Sequence, residues 1–172
     1  MKILMDNQAM RRAITRISHE IIEKNKGTHD LVIIGVKTRG IPLASRIVER
    51  IEEIEGVKLP MGTIDITFYR DDLQKKSERP VIHQLDQIDV KDKTVIIADD
   101  VVFTGRTCRA AIDAIIDQGR PNKIQFAALI DRGHRELPLR PDFVGKNVPT
   151  STSEIVHVNF EEIDGEDRVV LQ

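Results

Sequence analysis

The sequence predicts an α/β fold in which a mainly parallel, twisted sheet is flanked by helices. Two observations carry this prediction. Segments with strand and helix periodicity alternate along the chain, an order typical of parallel sheets with helices on both faces. In addition, Val95 to Ala98 is a continuous apolar run, as expected for a strand that is covered on both faces.

The first three elements follow from apolar spacing. From Ala9 to Glu23, apolar residues recur at helical intervals and predict an amphipathic helix that ends near Gly27. Leu31 to Val36 then has the pattern of a buried strand. After Gly40, a second apolar stripe predicts a helix, and Pro42 suits its first turn. The stripe consists of Leu43, Ile47, Val48, Ile51 and Ile54.

The second half continues the alternation. Ile64, Ile66 and Phe68 alternate with polar residues, which predicts a strand with one wetter face. The polar stretch from Tyr69 to Pro80 follows and is predicted to be a mobile loop. After the strand at Val95 to Ala98, a helix is predicted that ends before Gly119, and Ile124 to Ile130 is another strand. The apolar residues that mark this helix are Ile112, Ile115 and Ile116.

Composition indicates an ordinary globular protein. The 172 residues suit one domain, 1–172, and 40% are hydrophobic and 31% charged. The first ten residues lack the apolar core of a signal peptide, no later run is long enough to span a bilayer, and Cys108 has no partner thiol. We therefore expect a cytoplasmic protein with no membrane partner. The net charge of −2 excludes a uniformly basic surface, so nucleic-acid binding would need a local patch.

Ligands of such folds bind outside the carboxyl ends of the strands. There, Val95 to Thr107 places Asp99 and Asp100 at a strand end, where carboxylates can accept hydrogen bonds from ribose hydroxyls and help to hold hydrated Mg²⁺. Thr104 to Thr107 follows, with Gly105 for close backbone approach and a helix start that favours an anion. The pattern predicts a sugar 5-phosphate site. The alternative is a tight strand-to-helix turn.

Two further loops follow predicted strands. Gly35 to Gly40 offers flanking glycines and Arg39 to grip phosphate oxygens, although such a sequence can also be a solvated turn. The stretch that begins Tyr69-Arg70-Asp71-Asp72 is a candidate closing loop or an ordinary surface loop.

The stretch from Val95 to Thr107 resembles the phosphoribosyl diphosphate signature of type I phosphoribosyltransferases, and Gly35 to Gly40 resembles their pyrophosphate loop. The similarity continues through Arg11 to Ile17, Asp131 to Pro138 and Gly145 to Asn147. In these segments the chain resembles the members of the family that regulate pyrimidine operons. The resemblance covers nearly the whole chain. It implies the type I fold with a small hood and two activities, uracil phosphoribosyltransferase chemistry and RNA binding that depends on a uridine nucleotide.

For catalysis, the resemblance implies that uracil and phosphoribosyl diphosphate give UMP and pyrophosphate. Arg39 and Mg²⁺ would neutralise the departing pyrophosphate, while Asp99 and Asp100 fix the ribose and meet the metal through water or ribose. Purine relatives usually have an acidic residue at the position of Phe103, so Phe103 favours a pyrimidine. No general base can be assigned. The residues expected to bind phosphoribosyl diphosphate or UMP are Lys37, Thr38, Arg39, Gly40, Arg70, Asp99, Asp100, Val101, Val102, Phe103, Thr104, Gly105, Arg106, Thr107 and Arg132.

For RNA, the first helix gives a separate indication. With its isoleucines facing the core, Arg12, Thr15 and His19 lie on the opposite face, and residues 11–26 hold five Lys or Arg against two Glu. A basic, solvated helix face is the common alternative. The resemblance adds that Thr15, His19, Arg135, Arg140 and Lys146 correspond to residues expected to face RNA.

The implied partners are uracil, phosphoribosyl diphosphate, UMP or UTP, the messenger RNA leader of a pyrimidine operon, and further copies of the chain in a dimer that can assemble further. Two alternatives stay open. The chain could be a plain salvage phosphoribosyltransferase without RNA binding, or a regulator that binds the nucleotide but has lost turnover.

Overall fold

The structure is a computed structural model of the chain and describes residues 1–70 and 78–172. Its helices are α1 (Asn7–Lys24), α2 (Gly40–Glu55), α3 (Arg106–Gln118) and the short α4 (Glu161–Asp164). Its strands are β1 (Lys2–Met5), β2 (Leu31–Val36), β3 (Met61–Arg70), β4 (Glu78–Leu85), β5 (Thr94–Val102), β6 (Lys123–Asp131), β7 (Phe143–Asn147), β8 (Val156–Asn159) and β9 (Arg168–Leu171).

The main sheet has the strand order β4-β3-β2-β5-β6-β7. The five neighbouring strands β3, β2, β5, β6 and β7 pair in parallel. At the edge of the sheet, β4 pairs with β3 in the antiparallel direction. The predicted α/β class with a mainly parallel sheet is therefore confirmed. A second sheet, β1-β9-β8, is antiparallel and joins the two ends of the chain. Together with α4, it forms the small hood.

Both faces of the main sheet are covered, as the apolar strand patterns predicted. Alternate residues of β2 enter different cores: Ile33 packs with α1, α2 and part of the hood, while Ile34 packs with α3 on the other face. The same alternation places Ile96 and Ile97 of β5 in opposite cores. Helix α1 spans the predicted helical stretch, and the Asp6 carboxylate caps it by accepting a 2.8 Å hydrogen bond from the Ala9 N–H.

Two sequence predictions need correction. The stretch from Tyr69 to Pro80 was predicted to be a loop, but β3 runs to Arg70 and β4 begins at Glu78. Pro80 lies in β4, which is an edge strand, where proline is tolerated. Residues 71–77 of the predicted mobile loop lie outside the described residues.

The second correction concerns α3. Ile116 was taken as part of its apolar face, but it is 55% exposed, whereas Ile115 is fully buried. The buried face consists of smaller side chains than predicted, among them Cys108, Ala111 and Ala114. Ile115 and Ile116 point about 100° apart around the helix axis, and of the two only Ile115 is buried.

Truncating the core tests the packing. Ile96→Ala should lower the free energy of unfolding by about 2–5 kcal/mol, because Ile96 is fully buried between sheet and helices. Ile116→Ala is the matched control on the exposed side of α3, and we expect a change within about 0.5 kcal/mol. Urea denaturation of both variants measures this. Similar losses in the two variants would contradict the assigned core.

Candidate functional site

The site lies between β2 and β5, where the connections from these two neighbouring strands lead to opposite sides of the sheet. The chain passes from β2 through α2 to β3 on one side, and from β5 through α3 to β6 on the other. Because α2 and α3 pack on opposite faces, a crevice opens between the carboxyl ends of β2 and β5. Ligands of open α/β sheets bind in this kind of crevice. The predicted site loops after β2 and β5 meet there.

Strand pairing exposes the acidic pair. β2 pairs with β5 only as far as Ala98, whereas β5 stays paired with β6 to Val102. β5 therefore extends beyond β2 and carries Asp99 and Asp100 past the last β2 residue that pairs with it, Gly35. The Asp100 N–H donates a 2.9 Å hydrogen bond to the Asp99 carboxylate, while burial and the Asp100 charge raise the pKa of Asp99 well above its ordinary value.

The loop after β2 returns tightly against β5. Its Lys37–Thr38 peptide is cis, and Arg39 leads into α2. A Cβ atom on Gly40 would lie 2.5 Å from the carbonyl oxygen of Ala98, so only glycine fits. Lys37 is exposed and lies 3.7 Å from Asp65 of β3. The pKa of Arg39 is raised, mainly by its hydrogen bonds to the Asp164 carboxylate. The charge of the nearby Asp100 also raises it.

The loop after β5 has the form expected of a phosphate cradle. Gly105 takes a φ of +92°, which favours glycine, and it precedes α3 without a side-chain cap. The start of a helix favours an anion, and here the Arg106 N–H also donates to the Thr104 hydroxyl at 3.3 Å, which places that hydroxyl at the cradle. The backbone of Thr104 is fixed by the segment after β6, because its carbonyl oxygen accepts hydrogen bonds from the N–H groups of Glu136 at 2.9 Å and Leu137 at 3.3 Å.

Arg135 braces the same cradle. Its guanidinium donates to the carbonyl oxygen of Phe103 at 2.8 Å, to that of Leu139 at 2.6 Å and to the Asp131 carboxylate at 2.6 Å. Its side chain is 19% exposed. These contacts fix the phosphate loop, and the expectation from the resemblance that Arg135 also faces RNA stays a prediction.

Phe103 and Arg132 come together beside the cradle. The Arg132 guanidinium lies over the Phe103 ring, 4.0 Å from its centre, and the His134 ring meets the Phe103 ring edge-on at 5.7 Å. Arg132 is only 8% exposed, yet its Nε is buried without a partner among the described atoms. Burial lowers the pKa of Arg132. An aromatic face next to a desolvated donor can hold a flat, polar ring.

Other predicted binding residues lie at the edge of the site. Val102 is buried in one core, and the partly buried Val101 packs against the other. The Arg106 side chain pairs with Glu136 at 3.0 Å, and its backbone N–H donates a 3.3 Å hydrogen bond to the Thr104 hydroxyl. The role predicted for the Arg70 side chain lies outside the described residues. Cys108 is buried, and burial raises the pKa of its thiol to about 12, so it is no nucleophile.

The predicted RNA residues lie on or near α1. Arg12 and His19 are exposed, and the Thr15 hydroxyl donates to the Arg11 carbonyl at 2.9 Å. Arg16 donates to the carbonyl oxygens of Val144 at 3.2 Å and Gly145 at 2.5 Å, which fixes α1 beside the edge strand β7. β7 also carries Lys146, which is exposed and donates to the Leu4 carbonyl at 3.2 Å, while Arg140 is exposed just before β7.

The sequence did not point to three parts of this site. Asp164 binds Arg39 from the hood, 125 residues away in the chain. The Ser151 carbonyl accepts a 2.9 Å hydrogen bond from Arg132, and the Thr150 carbonyl lies 2.5 Å from His134 Nε2. These contacts join segments far apart in the sequence, so no local pattern could indicate them. The doublet Asp-Gly at 164–165 was only a turn signal.

The family model for the phosphoribosyl transferase domain matches residues 1–162. This chain belongs to the phosphoribosyltransferase family. Within that family it groups with proteins named bifunctional protein PyrR. The one from Brevibacillus brevis is 61% identical over 171 residues, which are 99% of this chain and 96% of that protein. The one from Clostridioides difficile is also 61% identical over 171 residues, 98% of this chain and 96% of that protein.

Solved phosphoribosyltransferases share the fold. A hypoxanthine phosphoribosyltransferase from Trypanosoma cruzi has a TM-score of 0.80 at 22% identity and covers 100% of this chain and 95% of its own. The predicted type I phosphoribosyltransferase fold is thus confirmed. No helix in the described part of this chain is long and apolar enough to cross a membrane.

The tight approach of Gly40 can be tested directly. Gly40→Ala should destabilise the fold by about 1–3 kcal/mol and displace the loop after β2, because the new Cβ would overlap the Ala98 carbonyl. Gly62→Ala in β3 is the control, since its Cβ would meet only side-chain atoms at 3.5 Å or more. Thermal unfolding and pyrophosphate affinity measure both effects. Equal behaviour of the two variants would show that the close approach is not required.

Proposed function

We propose that this chain transfers the phosphoribosyl group of phosphoribosyl diphosphate to uracil, and that it regulates pyrimidine genes by binding their messenger RNA with a uridine nucleotide bound. The observation that carries the proposal is the crevice between β2 and β5, with a phosphate cradle, an acidic pair and a phosphate-binding loop on its rim. The likeness to PyrR proteins along the whole chain supports both activities. We place this activity in the cytoplasm.

In the proposed reaction, the bond from ribose C1 to pyrophosphate breaks and a bond from C1 to uracil N1 forms, while N1 loses its proton. Thr104 to Thr107 and the first turn of α3 hold the 5-phosphate. Asp99 and Asp100 accept hydrogen bonds from the ribose hydroxyls and offset the positive charge that develops on the ring. Lys37 to Gly40 bind the pyrophosphate, and Arg39 neutralises part of its charge as it leaves.

Mg²⁺ fits the same place. The carboxylates of Asp99 and Asp100 offer oxygen ligands, and Mg²⁺ in proteins commonly combines one or two carboxylates with substrate phosphates and water. We propose that these residues hold it, through water or the ribose oxygens, together with phosphoribosyl diphosphate. Bound there, Mg²⁺ supplies positive charge to the pyrophosphate leaving group.

Phe103 and Arg132 form the proposed base-binding region. The Phe103 ring is 36% exposed and offers an apolar face for the uracil ring. The Arg132 guanidinium lies over this ring, 4.0 Å from its centre, and its N–H donors can meet a uracil carbonyl. An acidic side chain in place of Phe103 would repel these carbonyl oxygens.

The proposed RNA surface consists of Arg12, Thr15 and His19 on α1, Arg135 after β6, and Arg140 and Lys146 near β7. Arg12 and His19 share a face of α1 with Arg16, and Arg16 holds this face beside β7. Positive charge there suits phosphate contacts. In a dimer, which we also propose, the two copies of this surface would bind a longer RNA segment more tightly than one.

Replacing site residues tests the reaction. Arg39→Ala and Asp100→Asn should each lower turnover of labelled uracil at least about a hundredfold, because each removes charge needed in the transition state. Circular dichroism should show an intact fold. A normal rate in either variant would remove that residue from the mechanism. A wild-type protein that binds UMP but converts no uracil would instead be a regulator without turnover.

The RNA surface is tested by replacing two exposed residues. Arg12→Ala combined with His19→Ala should weaken binding to a pyrimidine leader transcript, in the presence of UMP, by about tenfold, and should reduce the salt dependence by about one charge. Arg109→Ala is the matched control, since Arg109 is exposed on α3 on the opposite face of the sheet. Filter binding at several salt concentrations measures this. Unchanged affinity in the double variant would favour a plain salvage enzyme.

A further inference from the structure

Arg39 is held by the hood, although it belongs to the loop after β2. Its Nε donates to Asp164 Oδ2 at 3.2 Å and its Nη2 donates to Asp164 Oδ1 at 2.6 Å. This bidentate pair fixes both the position and the plane of the guanidinium. Arg39 supplies the guanidinium of the proposed pyrophosphate site. The residue that holds this guanidinium therefore affects how the site binds pyrophosphate.

Asp164 is itself fixed by the core. Its Oδ2 also accepts a 2.9 Å hydrogen bond from the Phe160 N–H, and Phe160 is fully buried in the core that joins α1, α2 and the hood. The side chain of Asp164 is 19% exposed. Arg39 lowers the pKa of Asp164, so the carboxylate stays charged at neutral pH. A rigid anion therefore faces the Arg39 guanidinium.

We propose that Asp164 is a positioning residue, which orients Arg39 so that its remaining N–H groups face the pyrophosphate of phosphoribosyl diphosphate. A guanidinium has five N–H donors, and the pair with Asp164 uses two of them along one edge. The other edge stays available for phosphate oxygens. Without Asp164, the long Arg39 side chain would occupy several rotamers, and binding would have to order it.

The hood provides a matched control within the same helix. Glu162 and Asp167, on either side of Asp164, both bind Arg46 of α2. Arg46 also lies over the Phe160 ring, 5.0 Å from its centre. These pairs attach α4 to α2, as the Asp164 pair attaches it to the loop. Loss of the Glu162 pair should loosen the hood without reaching Arg39.

The test compares Asp164→Asn with Glu162→Gln by calorimetric titration of pyrophosphate and of phosphoribosyl diphosphate, each with Mg²⁺. Asp164→Asn should weaken both affinities at least about tenfold, the loss expected for one charge-assisted contact. Glu162→Gln should change them by less than about twofold, as for other partly exposed pairs. Equal effects in the two variants would overturn the proposal. So would tighter binding in Asp164→Asn, because Asp164 would then compete with pyrophosphate for Arg39.

A double variant shows whether Asp164 acts through Arg39. In an Arg39→Ala background, Asp164→Asn should cause no further loss of pyrophosphate affinity, and an additive loss would contradict the proposed role. Thermal unfolding of each variant distinguishes a general loss of structure from a specific loss of pyrophosphate affinity. The inference rests on the proposed phosphoribosyl transfer, but the two can fail separately. Absent uracil turnover in the wild-type protein would overturn that reaction, whereas the pyrophosphate titrations test Asp164 alone.

Discussion

The structure of the site depends on one constraint, the point at which β2 stops pairing with β5. Beyond Ala98, β5 continues beside β6 alone, and the loop after β2 turns back so closely that Gly40 lies against the Ala98 carbonyl. That arrangement opens the crevice, exposes Asp99 and Asp100 on its floor and places Arg39 on its rim. The phosphate cradle, the base-binding region and the hood all border this opening.

Much of this could be predicted from the sequence, because the signals are local. Continuous apolar runs in β2 and β5 indicated strands covered on both faces, and the stripe of α1 indicated its buried side. Gly105, between Thr104 and Thr107 at the start of a helix, predicted an anion site because backbone conformation and helix direction are set within a few residues. The parallel order then implied that the site loops share one edge of the sheet.

The remaining features depend on contacts between distant segments. The hood strands are only four residues long, and they gain their partners from opposite ends of the chain, so their pattern is weak. The contacts of Arg135 with Phe103 and Leu139 hold the phosphate loop, and no local pattern indicated them. Asp164 looked like part of a turn. The role of Asp164 depends on its contact with Arg39, and the two residues come together only when the chain is folded.

The central claim is that one crevice binds a uridine nucleotide in a single defined orientation. The most direct measurement is a crystal structure of the protein with UMP. We predict that the phosphate will accept hydrogen bonds from the backbone N–H groups of residues 105–107, that Asp99 and Asp100 will meet the ribose hydroxyls, and that uracil will lie beside Phe103 and Arg132. A nucleotide whose phosphate lies away from the start of α3, or whose base points away from Phe103, would contradict the account.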